Sequence, residues 1–271
     1  MNKLFLKILT KTHVKKCTNR IVFFLWLFGV LIVNGQAQSR DTILSYNPFY
    51  TYFLEETKPS ENPENSTKLE SELLQFIAVQ KTKKTKSRSE IRFLRQLNRQ
   101  IHDKFLKNYA RFSSFSETLQ NGNYDCLSGV ILYVVVLDTL GYNYTIYQTN
   151  YHVYLMLSVQ GRDILIETTD PIYGFVESPY HIQKRQEEYE VAIEVSKTTE
   201  NYYTSPQKIH QPTSVRELRS LHFYNQAVGL YNQRKLVQAS KRLTQAEAIY
   251  TSQRTQELRL FINYYQSQFH E

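Results

Sequence analysis

The sequence predicts an α+β fold in which a buried helix headed by a cysteine packs on an antiparallel sheet, with a small all-α segment behind it. Three observations predict this. Apolar residues recur at steps of three and four through Leu69–Phe105, the spacing of one helix face. An almost wholly apolar stretch, Leu127–Leu140, is followed by three short strand-like runs joined by tight turns, and strands joined in that way are antiparallel. From Thr213 onward every periodic run is helical.

The elements follow in chain order. Residues 1–20 carry Lys3, Lys7, Lys11, Lys15, Lys16 and Arg20 and no acid, Ile21–Val33 is an apolar run of 13, and Gly35-Gln36-Ala37 supplies small residues. This is the pattern of a secretory signal peptide spanning 1–37, so a secreted or periplasmic location is expected. The apolar run is shorter than the ~18 residues of a membrane span, and a single uncleaved N-terminal anchor is the alternative. Cys17 precedes the run, the wrong side for a lipid-anchored cysteine. Cleavage would remove six of the 33 basic and none of the 25 acidic residues, leaving 27 against 25 and a net charge near +2. A nucleic-acid partner is therefore not expected.

Residues 38–67 read as an extended segment and a linker, since 57–67 is polar and holds two prolines. A main domain is expected over 68–195. It opens with helical spacing at Leu69, Leu73, Phe76 and Ile77, and again at Ile91, Leu94, Leu97, Ile101 and Phe105. His102 lies beside that second stripe and reads as a helix-flank residue. Between the two, Lys81–Arg88 is a solvated loop or helix end, or else a patch for an acidic partner. Leu127–Leu140 is rich in valine but too long for an ordinary strand, and Gly141 stands where a helix is capped. The strand-like runs are Tyr142–Thr149, His152–Val159 and Asp163–Thr168, with turn chemistry at Gln160-Gly161 and a close at Asp170-Pro171. Residues 196–212 read as a linker. In 213–271, Phe223, Ala227, Tyr231, Ala239, Leu243 and Ala246 resemble the packing positions of a tetratricopeptide repeat, a plain helical hairpin being the alternative, and Arg254–Phe269 adds a third helix. His181, His210, His222 and His270 read as surface or helix residues.

The chemistry is concentrated in the centre. Once the leader is removed, Cys126 is the only cysteine, so the exported chain can form no internal disulfide. A helix from Cys126 to Leu140 travels about 21 Å, and the strand after it can return about 26 Å. The turn before His152 therefore lies back near the cysteine. Val153, Leu155, Leu157 and Val159 form an apolar face that Ile164 and Ile166 match across the hairpin, which puts Glu167 on the His152 side. Asp170 is the reserve for that third place. A helix N-terminus and a nearby imidazolium both favour a thiolate. Histidine then serves as proton donor and base, and the carboxylate orients it. Oxyanion donors are expected from the Cys126 N–H and from Asn121 or Asn123. A Cys-His-Glu metal site is disfavoured because it lacks a close-spaced ligand pair, and no metal or organic cofactor is implied.

Across Asn121–Asp170 the chain resembles the transglutaminase-like superfamily, a papain-related α+β fold. The resemblance rests on the helix-heading Cys126, the Leu-Gly pair at its end, His152 opening a strand, and Ile166-Glu-Thr-Thr-Asp-Pro171 after a hairpin. It more closely resembles bacterial members in which a tetratricopeptide segment follows the core. It implies Cys126 as nucleophile, His152 as acid/base and Glu167 as third member, acting on a peptide or protein amide by hydrolysis or acyl transfer. The chain departs from animal-type members at Val153, where they carry Trp, and in having Glu rather than Asp as third member. Some members of the superfamily have no demonstrated activity. A non-catalytic scaffold, holding a protein partner through the C-terminal helices, is therefore the competing expectation.

Overall fold

The computed structural model describes residues 63–195 and 209–268. The signal peptide over 1–37, the extended segment up to residue 62, most of the linker over 196–208 and His270 lie outside the described residues.

Two helices open the described chain, α1 (Pro63–Lys86) and α2 (Glu90–Phe105). α1 starts inside the stretch expected to be a linker. Proline suits a first helical position, because the N–H it lacks would have no acceptor there. The basic run forms the last turns of α1 and the short break after it. α2 is capped by Ser89 and buries Phe93, Leu94, Leu97, Ile101 and Phe105. His102 is 5% exposed, so it belongs to the core and not to the helix flank.

A short parallel pair follows, β1 (Asn108–Tyr109) with β2 (Asn123–Tyr124), around α3 (Phe115–Asn121). α3 begins with a Ser114–Glu117 capping box and ends at Gly122, whose φ of 80° is the left-handed conformation that glycine adopts without penalty. α4 (Cys126–Thr139) comes next and is buried from Leu127 to Val136 and at Leu137. Its valines do not make it a strand, because every face of it is packed against protein.

The sheet is antiparallel throughout, in the order β6-β5-β4-β3-β7. Its strands are β3 (Tyr144–Thr149), β4 (Val153–Val159), β5 (Arg162–Ile166), β6 (Phe175–Val176) and β7 (His210–Thr213), with α5 (Pro179–Val195) between the last two. Leu155 pairs with Ile166 and Leu157 with Ile164, the register read from the apolar faces. On the other face Tyr154, Leu165 and Val176 pack with Ile182 of α5. β7 corrects the linker boundary: His210–Thr213 is an edge strand on β3. Its sequence, His-Gln-Pro-Thr, contains no β-branched run, and its proline is tolerated because an edge strand need not donate on both sides.

The chain closes with α6 (Val215–Asn232), α7 (Leu236–Ile249) and α8 (Gln253–Gln268). Phe223, Ala227, Tyr231, Ala239, Leu243 and Ala246 are all buried in the core these helices share, joined by Leu258 and Ile262. The helices also dock on the α+β part. His222 is 1% exposed, not a surface residue, and its Nε2 accepts from the Phe115 N–H at 3.3 Å. Ser220 caps the far end of α7, donating to the Ala246 carbonyl at 2.9 Å. Among the described residues no helix is long and apolar enough to cross a membrane.

Candidate active site

Cys126 is the first residue of α4, and the turn before it fixes its position. Asp125 is the N-cap: its side chain accepts from the Ser128 N–H at 2.9 Å, while the Ser128 hydroxyl accepts from the Asp125 N–H at 2.9 Å. Asp125 is 2% exposed and its remaining oxygen accepts from the Asn225 amide of α6 at 2.8 Å. Burial pushes its carboxyl above the ordinary range, against the opposing pull of nearby His222 and the Ser128 bonds. The thiol is free and partly exposed at a helix N-terminus, where the backbone N–H groups point outward.

His152 stands one residue before β4. The turn that carries it is locked locally, with the Thr149 Oγ1 accepting from the His152 N–H at 3.0 Å and the Thr149 N–H donating to the His152 carbonyl at 2.7 Å. Its Nε2 lies 2.5 Å from Oε2 of Glu167. Nδ1 is thereby the ring nitrogen left for the thiol, which lines the same cavity as the ring and lies near enough to raise its pKa.

Glu167 is 2% exposed, and all its capacity is used. Oε2 accepts from His152 and from the Tyr189 hydroxyl of α5. Oε1 accepts from the Thr169 N–H at 2.9 Å and the Thr169 hydroxyl at 2.5 Å. A buried carboxylate is tolerable when its lone pairs are satisfied in this way. Desolvation works against both charges. It is outweighed at His152 by the Glu167 charge and by hydrogen bonds with Cys126 and Glu167, which raise the imidazole to about 10. It is outweighed at Glu167 by the His152 charge and by bonds from His152, Thr169 and Tyr189, which lower the carboxyl to about 2.

The structure thus brings Cys126, His152 and Glu167 together and sets Asp170 apart. Asp170 pairs with Arg185 and accepts from the Tyr173 N–H at 2.8 Å, shaping the turn that returns to β6. That turn needs glycine at 174, where a Cβ would stand 2.1 Å from the Glu167 carbonyl oxygen. Asn121 and Asn123 do not line the cavity that Cys126 and His152 share. Asn121 Oδ1 accepts from the Asn123 N–H at 3.0 Å and closes the turn, while Asn123 Oδ1 takes the Asn108 amide at 3.4 Å. Among the described residues no group of three or more His, Cys, Asp and Glu is arranged to hold a metal.

Several residues at the site escaped the sequence reading. Tyr189 and Thr169 hold the carboxylate. Tyr154 stacks on Tyr189 at 4.9 Å, and its hydroxyl bonds to His210 of β7 at 2.9 Å. Tyr109 lies close enough for the Cys126 charge, after burial, to raise its phenol. Only Thr169 carried a local signal, since Glu-Thr-Thr lets a hydroxyl fold back on a carboxylate two residues away. A scan against protein-family models and searches of curated proteins and of solved structures matched nothing to this chain.

Proposed function

We propose that this chain is an exported thiol enzyme of the transglutaminase-like type, acting on amide bonds by hydrolysis or acyl transfer. The observation that carries the reading is the hydrogen bond of His152 to a fully satisfied, buried Glu167, with Cys126 beside the same ring. The order helix-heading Cys, strand-heading His, acid after a hairpin supports the superfamily assignment, and the leader read from residues 1–37 supports export.

In this reaction the Cys126 sulfur attacks the amide carbonyl, an S–C bond forms, and the C–N bond breaks. The amine leaves with a proton from the His152 imidazolium. Water or a second amine then attacks the thioester, gives its proton back to His152, and frees the thiolate. Glu167 keeps the ring oriented and its charged form stable throughout. In this reading the backbone N–H groups at the head of α4 receive the oxyanion.

The test is the pH dependence of Cys126 modification by iodoacetamide, read by peptide mass spectrometry so that Cys17 is counted apart. Modification well below pH 8 that is lost in His152→Ala supports the assignment. A thiol that reacts only near pH 8.5, the ordinary thiol value, or not at all, sinks it.

A second reading keeps this core without turnover and uses the C-terminal helices to hold a partner protein. Exposed apolar side chains on α7 and α8, with Val237 at 78% and Leu260 at 70%, favour it. Under that reading Cys126→Ala preserves cellular function while Val237→Glu with Leu260→Glu abolishes it. Under the enzyme reading the outcomes exchange.

A further inference from the structure

A cavity of about 140 Å³ opens beside the Cys126–His152 pair, and its far walls come from residues the chemistry above does not use. Arg111 and Phe112, just after β1, form one wall, while Asn225 and Asn232 of α6 and Arg254 of α8 form another. A cavity of roughly 150 Å³ holds a benzene ring, so this one takes a single side chain rather than an extended ligand.

The walls are built, not incidental. Phe112 has a φ of 65°, a left-handed conformation that is sterically unfavourable for a residue with a Cβ. It is held there by close packing on α6, where a Cβ at Gly229 would stand 2.7 Å from the Phe112 ring. Asn225 is oriented by its bond to Asp125. Arg254 is 6% exposed and donates from Nη2 to the Thr149 carbonyl at 2.9 Å, at the turn that carries His152. Asn232 adds a buried Nδ2 with no acceptor among the described residues.

The lining carries more positive than negative charge, even with Cys126 ionised. It holds two guanidiniums and the His152 ring and, among the described residues, no carboxylate. An arginine stays charged even where it is buried. Guanidinium forks and amide N–H groups are the donors that a carboxylate accepts best.

We propose that this cavity binds a carboxylate, carried on the residue next to the amide that acylates Cys126. The inference rests on the thiol-enzyme reading and names its substrate class: peptides with an acidic side chain or a chain terminus beside the reacting amide. The C-terminal helices are then a wall of the substrate cleft.

The test compares iodoacetate with iodoacetamide as probes of Cys126 in the full chain. Both consume the same thiolate, but only iodoacetate carries a carboxylate. The expected result is a modification rate that saturates with iodoacetate and stays linear in iodoacetamide. Arg111→Gln should raise the half-saturating iodoacetate concentration about fivefold or more, the loss of one charge-assisted contact. Arg254→Gln should do the same. Arg111 is exposed, so its variant keeps the test decisive if Arg254→Gln fails to fold. Rapid iodoacetamide modification with linear, Arg111-insensitive iodoacetate kinetics overturns the carboxylate pocket and leaves the thiol enzyme standing. A thiol that neither reagent modifies below pH 8 overturns both.

Discussion

His102 on α2 and His152 at the head of β4 are both largely withdrawn from water, and their surroundings drive them in opposite directions. His102 faces the rings of Tyr124 and Tyr133, with centroids at 6.4 Å and 6.3 Å, and neither ring nitrogen has a hydrogen-bond partner among the described residues. Desolvation dominates and lowers its pKa, against weaker pulls from Asp103, Asp170 and Glu167. His152 suffers the same desolvation, yet contact with Glu167 carries it to about 10. The two regions show that burial alone makes an imidazole a neutral packing group, and that one carboxylate in contact reverses the sign. That distinction between a core histidine and a chemical one is invisible in composition.

The signs set two pH windows. Folding favours the protonated His152, so its contribution is complete below about 6.5 and is lost as pH rises through about 10. Folding favours the ionised Glu167, so its contribution is complete above about 4.5 and is lost as pH falls through about 2. These are one pair and count once. His102 runs the other way: its contribution is complete above about 6.5 and is lost as pH falls from there towards its lowered folded value.

Removing the carboxylate breaks the comparison with the largest effect. Glu167→Gln leaves His152 with desolvation and only Cys126 as a counter-charge, which moves it towards the condition of His102. The variant should lose about 3–5 kcal/mol near pH 6, the cost of removing one partner of a buried pair. By NMR the His152 titration should fall well below about 10. A His152 that still titrates near 10 in the variant would mean that the imidazolium is held by something other than Glu167.

A smaller change sharpens the same region. Tyr189→Phe removes one donor to the Glu167 carboxylate and leaves the ring that stacks on Tyr154. Hydrogen bonds to charged groups contribute about 1.5–3 kcal/mol, so a loss of about 2 kcal/mol is expected in denaturant unfolding near pH 6. The Glu167 titration should rise while His152 stays above 6.5. A neutral Tyr189→Phe would remove α5 from the support of the site.

His102→Leu should be smaller still, within about 1 kcal/mol at pH 8, because deleting unpartnered ring nitrogens offsets the lost packing. Its signature is in the pH dependence. The wild-type chain should lose stability relative to the variant as pH falls below 6.5, and parallel curves would contradict the assignment of His102 as a neutral core residue.

What the sequence disclosed follows the length scale of each interaction. The helix from Cys126, the Gln160-Gly161 hairpin and the pairing of Leu155 with Ile166 rest on local periodicity, and the period-two alternation alone put Glu167 and not its neighbours on the His152 side. Tyr189, His210 and Arg254 reach the site from elements 22 or more residues away, and no pattern within those elements marks them. β7 was hidden because its partner supplies the strand geometry that His-Gln-Pro-Thr does not encode. The docking of α6 was hidden for the same reason, since an isolated His222 looks alike on a surface and in a core.

The hairpin between β4 and β5 tests the most local of these inferences. Val159 pairs with Arg162 across two residues, Gln160 at φ 53° and Gly161 at φ 73°, so both lie in the left-handed region that a two-residue hairpin turn of this hand requires. Glycine meets the requirement freely, while glutamine does so against a steric cost that asparagine largely avoids. Both turn residues are exposed, so a change there acts through backbone conformation and not through packing. Gln160→Asn should therefore raise stability by about 0.5 kcal/mol in denaturant unfolding, with the His152 titration unmoved. Gly161→Ala at the same turn should cost stability. A gain in stability that also shifted His152 would show that turn strain is transmitted along β5 to Glu167, and the register of the hairpin would then be setting the site's geometry as well as its composition.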